Sequence, residues 1–149
     1  MDRLSEKYKE LDRRVRREVL AEEVIQPDLL LTFPYEAAVP DVDIRIETEE
    51  FTAVCPWTGL PDFGRLVVEY VPKERCVELK SLKYYLHSFR SVGIVQERAA
   101  KRILDDLVRL TQPVRMKVTL DYNVRGGLHT VVTATYPVSS PCHGSDQRD

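Results

Sequence analysis

No apolar run in the 149-residue chain approaches the roughly 20 residues a membrane-spanning helix needs, so no membrane partner is expected. An excess of one charge is missing too. Lys and Arg number 22 against 24 Asp and Glu, which gives no overall attraction to nucleic acid or an anionic surface. Any phosphate site must therefore be local, and no direct nucleic-acid partner is expected. Cysteine is scarce: Cys55, Cys76 and Cys142 form an odd set without metal-ligand spacing, and the adjacent Cys142-His143 has no partner cluster that would make a zinc site. A glycine-rich dinucleotide fingerprint is absent, which excludes a Rossmann reading. The densely charged N-terminus does not read as a signal peptide, and a reducing cytoplasm is the expected location.

What is present fits one α+β domain. Leu4, Tyr8, Leu11, Val15 and Val19 recur at helical spacing, which predicts a helix reaching to about Val24 with a narrow apolar stripe. Arg13-Arg14 and Arg16-Arg17 are interleaved with acids and read as a solvated face. Pro27, Pro34 and Pro40 punctuate an irregular segment with a short extended piece over 29–33. Strands are predicted over 43–54 and 63–71, the first alternating only partly through Ile44, Ile46, Phe51 and Ala53. Two helices follow. Leu79, Leu82, Tyr85, Leu86 and Phe89 mark the first; Ala99, Ala100, Ile103, Leu104 and Leu107 line the second, from about Ile94 to Leu110, before Pro113. Strands over 115–122 and 128–136 close the pattern around Asn123-Val124-Arg125-Gly126-Gly127, read as a hairpin loop. The expected division is an N-terminal helical extension over 1–26, the domain over 27–138 and a flexible tail over 139–149.

Between the first two strands lies Val54-Cys55-Pro56-Trp57-Thr58-Gly59-Leu60-Pro61-Asp62-Phe63, a stiff turn carrying one thiol and one carboxylate. A free thiol has a pKa of roughly 8.5 and attacks as thiolate, so a catalytic cysteine needs a neighbour that takes its proton or stabilises the anion. Asp62 is close enough in sequence to do so. Equally, Cys55 could be a small buried hydrophobe and Asp62 a turn residue.

Cys55-Pro56-x-Thr58-Gly59-x-Pro61-Asp62-Phe63 resembles the active-site segment of the NADPH-dependent nitrile reductases, which convert 7-cyano-7-deazaguanine to 7-aminomethyl-7-deazaguanine in queuosine biosynthesis. Glu78-Leu79-Lys80-Ser81-Leu82-Lys83-Tyr84-Tyr85 resembles the signature of the NADPH-dependent members. The resemblance runs from about Thr32 to Tyr136. It implies a tunnelling fold: a four-stranded antiparallel sheet with two helices between its second and third strands, here with an added N-terminal helix. Subunits in that fold join sheets into a barrel, with binding sites at their boundaries, and single-module members form two stacked pentamers.

The resemblance also implies roles. Cys55 would add to the nitrile as nucleophile and Asp62 would protonate the developing nitrogen anion. Val77, Glu78, Leu79, Gln96 and Glu97 match substrate-contacting positions, with Glu97 anchoring a guanine-like edge through its two acceptors. Read alone, Glu97 is a first-turn carboxylate favoured by the helix dipole. Lys80, Lys83, His87 and Arg90 share one helix face, which is usually just solvated; the signature instead assigns Lys80, Ser81 and Lys83 to NADPH. Gln96 departs from the pattern, since the family commonly has a histidine there, and Ser91-Val92-Gly93-Ile94-Val95 differs from the usual Asn-His-Gly-x-Phe. Two other readings stay open. One is ammonia transfer to the same thioimide, as in archaeal amidine-forming enzymes acting on modified tRNA; the other is a non-catalytic deazaguanine or pterin binder. The intact signature favours the reductase, and retention of both Cys55 and Asp62 disfavours the binder.

Overall fold

The computed structural model describes residues 2–36 and 42–138; the expected tail and the Cys142-His143 pair lie outside the described residues. Its elements are α1 (Asp2–Arg17), β1 (Thr32–Pro34), β2 (Ile44–Val54), β3 (Pro61–Val71), β4 (Arg75–Val77), α2 (Leu79–His87), α3 (Gln96–Thr111), β5 (Arg115–Tyr122) and β6 (Val131–Tyr136). The main sheet has the order β2-β3-β5-β6, antiparallel throughout. A second, two-stranded sheet pairs β1 with β4 and was not anticipated. It is fastened to the main sheet by the buried Tyr70 hydroxyl, which accepts from the Val77 N–H at 3.0 Å.

One face of the sheet carries the core. Leu66, Val68 and Tyr70 of β3 point the same way as Met116, Val118, Leu120 and Tyr122 of β5, and all are buried. On β2 the core residues are Ile44 and Ile46 at one end but Phe51 and Ala53 at the other, a change of parity. A bulge between Thr48 and Phe51 supplies the extra residue, so the partial alternation in the sequence is two in-register halves joined by a bulge. Phe51 then packs against Phe89, and Phe89 against Tyr85, with ring centroids 5.6 and 5.3 Å apart. α3 buries Ala99, Ala100, Ile103, Leu104 and Leu107, the residues its periodicity selects.

The element ends that differ from expectation do so because tertiary pairing captures the backbone first. α1 stops at Arg17 rather than near Val24, since the Leu20 N–H donates to Ser91 O and the Leu20 carbonyl accepts from Gly93 N. α3 starts at Gln96, because the Ile94 N–H is spent on the Val54 carbonyl. β6 starts at Val131, because Arg125 and Leu128 exchange backbone bonds around Gly126 and Gly127, both with positive φ. α2 ends at His87, and Phe89, expected within it, is fully buried just beyond. The piece over 29–33 splits into a 3₁₀ turn, Pro27–Leu29, and β1. Leu79, which marks the start of the helical spacing, is the first residue of α2 and is exposed.

At Gly64 the backbone of β5 leaves no room for a side chain: a Cβ there would lie 2.9 Å from the Asp121 carbonyl oxygen and 3.2 Å from Tyr122 Cα. Since both are backbone, Gly64→Ala should cost about 1–3 kcal/mol. In urea unfolding this should appear as a lower midpoint with an unchanged m-value.

Candidate active site

The turn after β2 is closed on itself. The Cys55 N–H donates to Leu60 O at 2.9 Å, and the Gly59 N–H donates back to Cys55 O at 2.8 Å, with Gly59 at φ +72°. This leaves Cys55 buried, 2 % exposed, at the base of the turn, while Trp57 at its tip is 70 % exposed. Burial raises the thiol pKa. It is outweighed by the Thr58 hydroxyl, the Thr58 and Trp57 backbone N–H groups and the Arg125 guanidinium, all facing the sulfur, so the thiol lies below its ordinary value. Thr58 Oγ1 is itself held by the Leu60 N–H at 3.2 Å.

Asp62 belongs to the core-facing parity of β3, on the same face as Leu66, Val68 and Tyr70, and is 6 % exposed. Burial pushes its carboxyl above the usual range. Opposing that, the Arg125 guanidinium pairs with Oδ1 and the Gln96 side chain hydrogen-bonds to the carboxylate. Tyr122 closes this end: its hydroxyl donates to the Gln96 carbonyl at 3.4 Å, and burial beside Asp62 and Glu97 raises its pKa. Glu97 is exposed in the first turn of α3 and makes no hydrogen bond or ion pair among the described residues, so both its oxygens remain available.

Cys55, Asp62, Gln96 and Glu97 thus come together, with three residues the sequence reading did not assign: Arg125, Thr58 and Tyr122. Arg125 was read only as part of a hairpin loop. The signal lay in register, because Tyr122 pairs with Gly64 and the loop beyond it must overhang the start of β3, where Asp62 lies. The Asn123 N–H bonded to Phe63 O at 2.9 Å fixes that overhang.

The remaining candidates form a separate group. Glu78 caps α2, its carboxylate accepting from the N–H groups of Lys80 at 2.9 Å and Ser81 at 2.7 Å, which lowers its pKa. The Glu78 N–H bonds Leu31 O, and the Val77 N–H is taken by Tyr70. The buried Ser81 hydroxyl donates to Glu78 O at 2.8 Å and accepts from Leu31 N at 2.9 Å, a structural use that leaves it no free donor. Lys80 and Lys83 are exposed, and Lys83 is 3.8 Å from Glu50 across a groove of about 250 Å³ lined by Ile46, Phe51, Leu82, Leu86 and His87. Glu78 borders a neighbouring cavity with Ile44 and Ile46, at the start of β2, whereas Cys55 follows its end. At roughly 3.3 Å per residue these two points of one chain are about 25–30 Å apart.

An α+β fold that gathers a buried thiol of lowered pKa, a buried carboxyl on the same guanidinium and an exposed carboxylate at a helix start has the side chains of an enzyme site. The chain belongs to the QueF-like protein family, whose model matches residues 61–140. Among its relatives, the NADPH-dependent 7-cyano-7-deazaguanine reductase of Caldicellulosiruptor bescii is 47 % identical over 133 residues, covering 89 % of this chain and 98 % of that protein. The protein of the same name from Chloroherpeton thalassium is 49 % identical over 112 residues, covering 75 % and 97 %. Among solved structures, an archaeosine synthase QueF-Like in the apo form superposes with a TM-score of 0.59 at 26 % identity, covering 62 % of this chain and 91 % of that one. The tunnelling fold is thus the fold of this chain.

Removing the guanidinium from Arg125 takes a cation from beside both the sulfur and the carboxylate. In Arg125→Ala the alkylation of Cys55 by iodoacetamide should shift its pH midpoint upward. The rate at neutral pH should fall about tenfold, equivalent to roughly one pKa unit. Peptide mapping by mass spectrometry would follow Cys55 separately from Cys76.

Proposed function

We propose that this chain reduces the nitrile of 7-cyano-7-deazaguanine to the primary amine of 7-aminomethyl-7-deazaguanine, with NADPH as reductant, in queuosine biosynthesis. The observation that carries the reading is the Arg125 guanidinium set against both the buried Cys55 thiol, whose pKa is lowered, and the buried Asp62 carboxyl, whose pKa burial raises. Relatives bearing this activity in their names are matched over 97–98 % of their own length.

Four electrons separate a nitrile from an amine, and NADPH supplies them as two hydrides when bound. Cys55 sulfur adds to the nitrile carbon while Asp62 delivers a proton to the nitrogen, giving a neutral thioimide with no leaving group. After the first reduction at that carbon, Cys55 leaves as thiolate and frees an imine. Its second reduction, with one further proton, completes the amine. Burial around Cys55 limits water at the imine stage, and Glu97 accepts hydrogen bonds from the ring N–H and exocyclic amine of the base. Gln96 cannot carry a proton at neutral pH, but its amide holds Asp62, which supports a positioning role at this position.

Lys80 and Lys83 fit phosphate charges, and the apolar groove beneath them fits part of a dinucleotide. Ser81 has no free donor and fits less well. Glu78 meets Cys55 only if a second copy brings it there, given their separation along β2. The outer edges of β2 and β6, which have no partner strand among the described residues, offer a means of joining copies; two stacked pentamers are the arrangement we propose. No described helix is long and apolar enough to cross a membrane, and a cytoplasmic location keeps the thiol reduced.

Spectrophotometry with the nitrile should record two NADPH oxidised per amine formed, with Cys55→Ala inactive. Without NADPH, intact mass should increase by the whole nitrile, on Cys55 alone. NADPH-independent use of ammonia would instead make this an amidine-forming enzyme. A turning-over enzyme that never forms the adduct would remove the thioimide.

The reactive state of the pair, thiolate with carboxyl, holds one proton. kcat/KM should therefore rise as the pair loses its first proton and fall as it loses its second, a bell belonging to the pair and not to either residue. Asp62→Asn should abolish the alkaline limb, leaving a profile that only rises as the thiol ionises, and lower the rate about 10²- to 10⁴-fold. Gln96→His should leave turnover within about twofold if position 96 only positions Asp62; a large gain centred near pH 6.5 would make it a proton donor.

A further inference from the structure

The segment from Val15 to Leu20 has no part in the reaction as written, yet it is packed on the nucleophile's turn. Along the apolar stripe of the N-terminal segment, Leu4, Tyr8 and Leu11 are exposed, and only Val15 and Val19 are partly buried. Both rest on glycines. A Cβ on Gly59 would lie 2.9 Å from Val15 Cγ1, and one on Gly93 would lie 2.5 Å from Val19 Cγ1. Gly59 is in the Cys55 turn, and the same Cβ on Gly93 would lie 3.7 Å from Pro56. Backbone pairing joins the same elements: Leu20 bridges to Val92, and Gly93 bridges to Val54. The N–H of Val54 reaches Val92 O at 2.9 Å, one residue before the nucleophile. Leu20, the 91–94 segment and Val54 therefore form three consecutive rungs ending beside Cys55.

We propose that the strap over Val15–Leu20 is a positioning element for Cys55: Val15 and Val19, seated on Gly59 and Gly93, hold the turn so that the Trp57 and Thr58 N–H groups stay aimed at the sulfur. The turn is short, and its tip is exposed. Its own two backbone bonds fix its width but not its tilt against the sheet. Contact from Val15 on one side and the rung through Gly93 on the other supply that tilt, and beta-branched side chains do so with little rotamer freedom. The inference rests on the reading of Cys55 as a nucleophile, but its test does not require nitrile reduction.

In the full chain, Val15→Ala with Val19→Ala should raise the pH midpoint of Cys55 alkylation by about half to one unit. The neutral-pH rate should fall roughly three- to tenfold. With the nitrile, kcat should fall while KM for NADPH stays within about twofold. Val118→Ala, in the core of β5 and away from the turn, separates positioning from general destabilisation. It should lower Tm at least as much while leaving the Cys55 midpoint unchanged. An unchanged midpoint in the folded double variant, or an equal shift in Val118→Ala, would overturn the proposal. A shift confined to the strap variants, in a protein found not to reduce the nitrile, would retain the strap and discard only the reaction.

Discussion

The Arg125 guanidinium, set beside both Cys55 and Asp62, is the contact around which this end of the chain is arranged. Free cysteine and aspartate differ by roughly 4.6 pKa units, so an ordinary pair would hold thiolate and carboxyl together in only about one molecule in 10⁴–10⁵. Each unit by which the two values converge raises that population tenfold. The fold moves both in the productive direction: backbone N–H groups, Thr58 and Arg125 lower the thiol, and burial raises the carboxyl. Arg125 serves the two unequally, since the pull that helps the thiolate also opposes protonation of Asp62. Burial wins at Asp62. A half-exposed cation in contact with solvent is screened more than the desolvation of a buried carboxyl is relieved.

The local chemistry depends on sheet geometry set well away from it. Asp62 is buried because β3 keeps one parity from Pro61 to Val71, and Leu66, Val68 and Tyr70 bind that parity to the core. β2 could not match β3 at both ends without the bulge, because Ile46 and Phe51 differ in parity yet both face inward. Phe51, opposite Gly64, packs edge-on against Tyr122 with ring centroids 6.4 Å apart, and a side chain on Gly64 would crowd that tyrosine. Tyr122 then reaches Gln96 at the start of α3 and brings Glu97 to the same end of the sheet. A residue in the middle of the sheet and a carboxylate on a helix are therefore linked by packing.

Much of this was legible in the sequence. Period-two runs marked the four long strands, helical spacing marked both covering helices, and two motifs marked the thiol, carboxylate and basic face. Less legible were features that depend on long-range pairing. β1 and β4 are three residues each, too short for periodicity, and exist because they find each other. The end of α1 is decided by Leu20 meeting a segment some seventy residues away, which local propensity cannot anticipate. Arg125 was hidden for another reason: a cation in a glycine-rich loop looks like solvent-facing turn chemistry until strand register places it over Asp62. Ser81 shows the converse, since a motif position suggested a cofactor contact while its hydroxyl is occupied by two backbone groups.

The separation between the two groups of residues gives the fold its last physical consequence. β2 spans the full height of the sheet, with Glu78 near its first residues and Cys55 just past its last. No side-chain rearrangement closes a gap of about 25–30 Å. α2 runs alongside that strand, carrying Lys83 from the Glu78 end toward Glu50, and so places cations partway between. A chain that presents these groups on one long strand, with unpaired edges on β2 and β6, is suited to a site assembled across a boundary. Edge pairing would then satisfy exposed backbone groups and juxtapose the start of one copy's strand with the end of another's. In such an assembly catalytic competence and edge protection would have the same cause. A single copy would retain the lowered thiol pKa, which its own turn and Arg125 create, and would lack what the Glu78 group adds.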